Sequence, residues 1–203
     1  SRTNLIQRNV YSLTISGNNV YAGTNDSGVY VSTNIGQSWT KTSLNIGGIL
    51  SLTESGGNVF AGTFSGLKRT SNGGLNWLLI GFNNQTILSF VGSGNSVYAG
   101  TNGNGVFLST NDGSNWSQTN LKNKSVWSLA ITASSVYAGT NSGIYLTTNN
   151  GLNWIQTQVS NEIYSLATNG NYIFFFFFGI FLSTNNGSNW NQTSLINRSV
   201  YAI

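Results

Sequence analysis

The sequence predicts an all-β protein built from five repeats of one unit, and three observations lead to this prediction. A Ser/Thr-x-Asn-x-Gly-x-x-Trp motif recurs five times, with its tryptophans 36 to 39 positions apart. Short runs rich in Val, Ile, Tyr and Thr alternate with Gly- and Asn-rich turns, which is the composition of strands and hairpins. No stretch of useful length shows the 3.6-residue periodicity of an amphipathic helix.

Each unit contains three strand-like runs before the motif. The first run occurs at Val10–Thr14, Ile49–Thr53, Ile87–Val91, Val126–Ala130 and Ile163–Ala167. The second, which ends in Ala-Gly-Thr, occurs at Val20–Thr24, Val59–Thr63, Val97–Thr101 and Val136–Thr140. The third occurs at Gly28–Ser32, Gly105–Ser109, Gly143–Thr147 and Gly179–Ser183. With a fourth run after the tryptophan, each unit is expected to form four antiparallel strands.

Tandem four-stranded units with this period are typical of a β-propeller, here with five blades in a single domain. The predicted units are about 10–44, 49–82, 87–120, 126–158 and 163–194, and residues 195–203 form either the start of a further repeat or a closing strand. A β-solenoid is the alternative. We disfavour it because solenoid repeats are usually shorter and lack a unit with four turns.

The motif closes a turn and supplies a ring for packing. Asn accepts hydrogen bonds in a turn, Gly adopts a left-handed backbone and Trp buries a large area. We therefore expect a structural role for all five copies. Their Asn and Trp residues are Asn34 and Trp39, Asn72 and Trp77, Asn111 and Trp116, Asn149 and Trp154, and Asn185 and Trp190.

This motif resembles the Asp-box of the bacterial neuraminidase repeat family, Ser-x-Asp-x-Gly-x-x-Trp, with Asn in place of the Asp in every copy. The resemblance covers nearly the whole chain. It implies a propeller with the box on the hairpin between the third and fourth strands of each blade. The family includes sialidases and many non-catalytic propellers. Sialidases use an Arg cluster with Tyr and acidic residues, and no such constellation is evident here.

Composition argues against catalysis as well. Only 6% of the residues are charged, against about 25% in typical proteins. His and Cys are absent, which removes the usual metal ligands, the common nucleophile pairs and any disulfide. The four acids fall in different units: Asp26, Glu54, Asp112 and Glu162. We expect no enzymatic activity, no metal and no cofactor.

Candidate contacts lie on the face that carries the loops between blades. Arg8, Lys124 and Arg198 each stand two positions before a first-strand residue, and Lys122 is near them. They form either a basic rim that attracts an anionic glycan or acidic surface, or charges that maintain solubility. Trp127 either stacks on a sugar near the channel mouth or packs between blades. The net charge of +4 without a dense basic stripe argues against nucleic-acid binding.

The run Phe174–Phe178 departs from the repeat, since it replaces Ala-Gly-Thr in a unit that is one residue short. Three interpretations stay open: a hydrophobic contact surface, a locally remodelled blade, or residue identities that differ from those printed. We favour the last, because every neighbouring position keeps the consensus. Intact-mass measurement decides between this interpretation and the other two.

The two ends of the chain carry the same segment, because Thr3–Tyr11 parallels Thr193–Tyr201. In a closed five-blade ring these segments compete for one place, so one end stays loose, pairs elsewhere, or belongs to a longer array. A free terminal strand favours self-association by strand addition.

We expect an extracellular or cell-surface interaction module that binds a protein partner or its own copies, and a lectin-like glycan binder is the alternative. No signal peptide or membrane span is evident.

Overall fold

The computed structural model describes Leu5 and residues 8–196. Within this part of the chain, twenty strands form five four-stranded antiparallel sheets, and there is no helix. Each sheet uses four consecutive strands in chain order. This arrangement confirms the predicted all-β class and the five-bladed β-propeller.

The strands are numbered β1 to β20, and the sheets 1 to 5, in chain order. Sheet 1 contains β1 (Val10–Ser16), β2 (Asn19–Thr24), β3 (Val29–Ser32) and β4 (Thr40–Lys41). Sheet 2 contains β5 (Ile49–Ser55), β6 (Asn58–Thr63), β7 (Gly66–Thr70) and β8 (Leu78–Gly81). Sheet 3 contains β9 (Ile87–Ser93), β10 (Ser96–Thr101), β11 (Val106–Ser109) and β12 (Ser117–Gln118). Sheet 4 contains β13 (Val126–Ile131), β14 (Val136–Thr140), β15 (Gly143–Thr147) and β16 (Ile155–Gln156). Sheet 5 contains β17 (Leu166–Asn169), β18 (Tyr172–Phe176), β19 (Gly179–Ser183) and β20 (Asn191–Ile196).

The chain divides into two compact units, one comprising Ser1–Val97 with Ser109–Trp116 and the other Tyr98–Leu108 with Ser117–Ile203. In the first unit, a buried apolar cluster joins sheets 1 and 2: Tyr21, Val29, Leu44, Ile49, Leu52, Val59 and Ala61. In the second, a matching cluster joins sheets 4 and 5: Ala130, Tyr137, Ile144, Ile163, Leu166, Ile173 and Phe175. The core of each unit therefore lies between consecutive sheets.

Glycine in the Ala-Gly-Thr run allows consecutive sheets to approach. A Cβ on Gly23 would lie 2.5 Å from Ile49 Cγ2, and a Cβ on Gly139 would lie 2.9 Å from Ile163 Cγ2. Any side chain at these positions would force the next sheet outward. The small residues of this run are thus a packing requirement of the repeat.

The Phe run forms the second strand of sheet 5 and the turn that follows it. Phe174 pairs with Ala167 as Tyr137 pairs with Ala130, so Phe174 takes the place of that tyrosine. Phe175 takes the place of Ala138. The turn after this strand is shorter in sheet 5: three residues separate Phe176 from its partner Ile180, whereas in sheet 4 four residues separate Gly139 from its partner Ile144. The missing residue is therefore in the β18–β19 turn.

Phe175 is buried despite its size. Its ring stacks on Phe181, with centroids 4.8 Å apart, and meets the edge of Trp190 at 4.8 Å. These rings line a half-open cavity of about 340 Å³ beside Val159. Phe175 is thus accommodated in sheet 5, and the three interpretations of this run stay open until the intact mass is measured.

The duplicated terminal segment lies largely outside the described residues, as does Arg198. Residues 1–4, 6–7 and 197–203 are not described. The proposed competition between the two ends therefore stays a prediction.

Candidate functional site

The five box turns have one hydrogen-bond network, so the motif acts locally. In sheet 1, Ser32 Oγ donates to Asn34 Oδ1 (2.9 Å) and accepts from Gly36 N (2.8 Å). Asn34 Oδ1 also accepts from Ser38 N (2.9 Å). The other four boxes repeat these three bonds. Asn thus supplies the acceptor that the family's Asp would supply.

The box tryptophans are half-buried against the sheets. Trp154 Nε1 donates to Thr119 Oγ1 of the preceding sheet (3.2 Å), and Trp116 Nε1 donates to Gly113 O (3.1 Å). Trp77 and Trp190 pack on the two apolar clusters. These contacts describe a packing role for the box residues.

The loops between sheets lie beside the turns between second and third strands. Asn25 N donates to Asn9 O (3.0 Å) in the first unit, and Asn141 N donates to Ser125 O (3.2 Å) in the second. Ser125 Oγ also donates to Asn102 Oδ1 (3.0 Å). Within each unit, both kinds of loop therefore share one face, which we call the loop face.

Arg8 on the loop face is paired with an acid. Its Nη1 lies 3.3 Å from Asp26 Oδ2, and both side chains are exposed. Asp26 Oδ1 accepts from Ser27 Oγ (2.9 Å). The Ser27 hydrogen bond and, secondarily, the Arg8 charge lower the pKa of the Asp26 carboxyl from its ordinary value. The positive charge predicted at this position is thus largely compensated.

The remaining predicted cations belong to the second unit. Lys124 Nζ lies 5.6 Å from the centroid of the Tyr145 ring, a cation–π contact. Lys122 is exposed. Among the described residues, neither Lys122 nor Lys124 forms a salt bridge with a carboxylate.

Trp127 forms an aromatic pair that the sequence did not identify. In the pairing of β13 with β14, Val126 is opposite Thr140 and Ser128 is opposite Gly139, so Trp127 is the extra residue of a bulge. Its ring stacks on Tyr164 with centroids 4.3 Å apart and an interplanar angle of 15°. Sequence reasoning selected Trp127 alone, although Tyr164 is its equivalent in the next unit.

Glu162 fixes the tyrosine of this pair. The Tyr164 hydroxyl donates to Glu162 Oε2 at 2.7 Å. This hydrogen bond to a carboxylate raises the pKa of the Tyr164 hydroxyl. Tyr164 and Glu162 are exposed, and Trp127 is half-buried. The loop face of the second unit therefore carries an ordered aromatic pair with a carboxylate at its edge.

The other acids make local contacts. Glu54 Oε1 accepts from Gly57 N (2.8 Å) in the β5–β6 turn. Asp112 lies in the box turn of sheet 3, where its backbone carbonyl accepts from Arg69 Nη1 (2.5 Å). Within the described residues, no three His, Cys, Asp or Glu side chains come together as metal ligands. The same part of the chain contains no helix that could span a bilayer.

The fold is similar to solved β-propellers. The extracellular domain of a one-component system from B. thetaiotaomicron matches with a TM-score of 0.73 and 22% identity over 86% of this chain and 27% of that one. An ancestral GH74 enzyme matches with a TM-score of 0.76 and 24% identity, over 94% of this chain and 32% of that one. YCF48 bound to the D1 peptide matches with a TM-score of 0.70 and 18% identity, over 92% of this chain and 68% of that one.

This chain spans about a quarter to a third of the length of the first two of these proteins. No family model matches the sequence, and no curated protein matches it significantly. At these identities the similarity concerns the fold.

Proposed function

We propose that this chain is a non-catalytic propeller of the Asp-box type, located outside the cell or on its surface, that binds protein partners, beginning with a second copy of itself. The five box turns support the family. The extracellular bacterial domain supports the location, and the peptide complex of YCF48 supports protein binding by this fold.

An uncovered apolar face on sheet 1 is the observation that carries the proposal. We call Val10, Leu13 and Ile15 of β1, with Ile35 of the first box turn, the sheet 1 face. Leu13 is 60% exposed, whereas its equivalent Leu52 in sheet 2 is 7% exposed. The other members of the face are exposed too. Contiguous exposed apolar surface of this kind marks an interaction site.

The equivalent face of sheet 2 is covered by sheet 1. In sheet 2, Leu52 N donates to Ser12 Oγ of sheet 1 (2.8 Å), and Ile49 packs against Gly23. A Cβ on Gly74 in the second box turn would lie 2.6 Å from Thr42 Cγ2 of sheet 1. The surface that fits this kind of face is thus another β-sheet.

A second copy offered in a two-fold arrangement fits best. Sheet 5 carries Phe176 at the position of Gly23 and Gly139, where a side chain would meet the next sheet. We therefore expect the outer side of sheet 5 to be a poor surface for a first strand. The sheet 1 face has no charged member, so pairing it with itself brings no like charges together. A groove of about 570 Å³ between Ile15 and Ile35 leaves room for the partner's side chains.

The local engagement of three of the four carboxylates supports a non-catalytic role. Asp26 bonds Ser27 and Arg8, Glu54 closes a hairpin and Glu162 holds Tyr164. Asp112 lies in a box turn, where its backbone carbonyl accepts from Arg69. A second candidate function, lectin-like glycan binding, is favoured by the Trp127–Tyr164 pair and is developed below.

Sedimentation velocity tests the proposal. We expect the wild-type chain to form a dimer that dissociates on dilution, and Leu13→Asp to be monomeric with an unchanged far-UV circular dichroism spectrum. Leu152→Asp is the matched control, because Leu152 is equally exposed in the box turn of sheet 4. A wild-type monomer at every concentration contradicts the proposal, and open-ended larger species contradict the two-fold arrangement.

A further inference from the structure

The Trp127–Tyr164 pair forms a single flat platform. Because of the bulge in β13, Trp127 does not follow the alternation of side chains between the two faces of the strand. Its neighbours Val126 and Ser128 are buried. Because the rings are nearly parallel, each presents one face to the other. Tyr164 is 58% exposed, so its outer face and edge lie in solvent.

The platform is held in place before any ligand arrives. Stacking fixes the ring of Tyr164 on one side, and the 2.7 Å bond to Glu162 fixes its hydroxyl. Ile163, between these two residues, donates its N–H to Thr140 O (3.0 Å), which anchors the segment to sheet 4. A site ordered in this way loses little side-chain entropy on binding.

The chemistry around the platform selects the ligand class. A parallel stack offers one flat apolar surface, which suits the C–H face of a pyranose ring, whereas a cage for a quaternary ammonium needs rings at large angles. The Glu162 carboxylate accepts hydrogen bonds from hydroxyl groups and repels an acidic sugar. The turn at Asn141 is uncharged, and its backbone N–H donates to Ser125 O, two residues before Trp127.

We infer that Tyr164, Trp127 and Glu162 form a binding site for a neutral pyranose, as found at the ends of neutral polysaccharides and glycans. The site shares no residue with the sheet 1 face, so its binding of sugars is tested separately from self-association. Tyr164 contributes the stacking surface, Trp127 supports it from below and Glu162 accepts the hydroxyl protons.

Saturation-transfer NMR and calorimetry with cellotriose, xylotriose and lactose test this inference. We expect at least one of these neutral sugars to bind, with ring protons of one residue receiving most of the saturation. Tyr164→Leu and Trp127→Leu should weaken binding on the order of tenfold or more. Both variants are expected to fold, because Leu50 and Leu88 occupy the equivalent positions in sheets 2 and 3.

Tyr11→Leu is the matched control, since Tyr11 occupies the equivalent position in sheet 1, and it should leave the affinity unchanged. Glu162→Gln keeps the shape of the site and should weaken neutral sugars while relieving repulsion of sialyllactose. The inference is overturned if no neutral sugar binds at millimolar concentration, if choline or a lysine-rich peptide binds in their place, or if Tyr11→Leu weakens binding as much as Tyr164→Leu.

Discussion

Replacing Ile35 by Asn should stabilise the chain. Ile35 is in the first box turn at a φ of 57°, a left-handed conformation that is costly for a β-branched residue. The equivalent positions hold residues that tolerate this conformation: Gly73, Asp112, Asn150 and Asn186. Left-handed backbone costs an ordinary L-residue roughly 1–2 kcal/mol, and Asn recovers much of this by local hydrogen bonding.

The gain is not offset by lost packing, because Ile35 is 88% exposed. We therefore expect Ile35→Asn to raise the free energy of unfolding by about 1 kcal/mol. For a chain of this size the melting temperature should rise by roughly 2–4 °C. Urea unfolding and calorimetry in dilute solution, where the sheet 1 face is free, measure both quantities.

Two further variants separate backbone strain from surface polarity. Gly73→Ile places the strained residue in the second box turn and should lower stability by about 1–2 kcal/mol. Leu152→Asn removes an exposed apolar residue whose φ is not left-handed and should change little. An unchanged or lower stability for Ile35→Asn, or an equal gain for Leu152→Asn, would refute the reasoning.

Three other predictions follow from the described contacts. Asn111→Ala removes the acceptor of two hydrogen bonds and should cost about 1–2 kcal/mol in urea unfolding, whereas Asn111→Asp keeps both bonds and should remain near wild type. Gly139→Ala places a Cβ 2.5 Å from a serine hydroxyl and should cost about 1–3 kcal/mol, measured by calorimetry. The pKa of Asp26 is lowered by Ser27 and then by Arg8, so its contribution to stability is present above the ordinary value of 3.8 and is lost as pH falls through the lowered pKa. Asp26→Asn should therefore reduce the dependence of the free energy of unfolding on pH at acid pH. An unchanged dependence would exclude this carboxyl as a contributor.

The repeated strands and boxes were predictable because their causes are local. Each box network closes within seven residues, from Ser32 to Ser38 in sheet 1, so the motif alone specifies its turn. The alternation of strand runs with glycine turns predicts the hairpins for the same reason. The fold class, the number of sheets and the position of the boxes are all confirmed.

The candidate site was only partly predictable, because it depends on which residues meet across sheets. Trp127 was recognisable because it is the only tryptophan at its position in the five repeats. The angle at which its ring meets Tyr164, however, depends on a bulge and on sheet packing. The Arg8–Asp26 pair also joins residues eighteen positions apart. The exposure of Leu13 was not predictable, since its equivalents Leu52, Leu129 and Leu166 have the same sequence pattern and are buried.

Hydrogen–deuterium exchange of the Val10–Ser16 segment tests the central claim most directly. If the sheet 1 face binds a second copy, exchange of these amides should slow as the protein concentration rises, and Leu13→Asp should abolish the dependence. Identical exchange at low and high concentration would contradict the account.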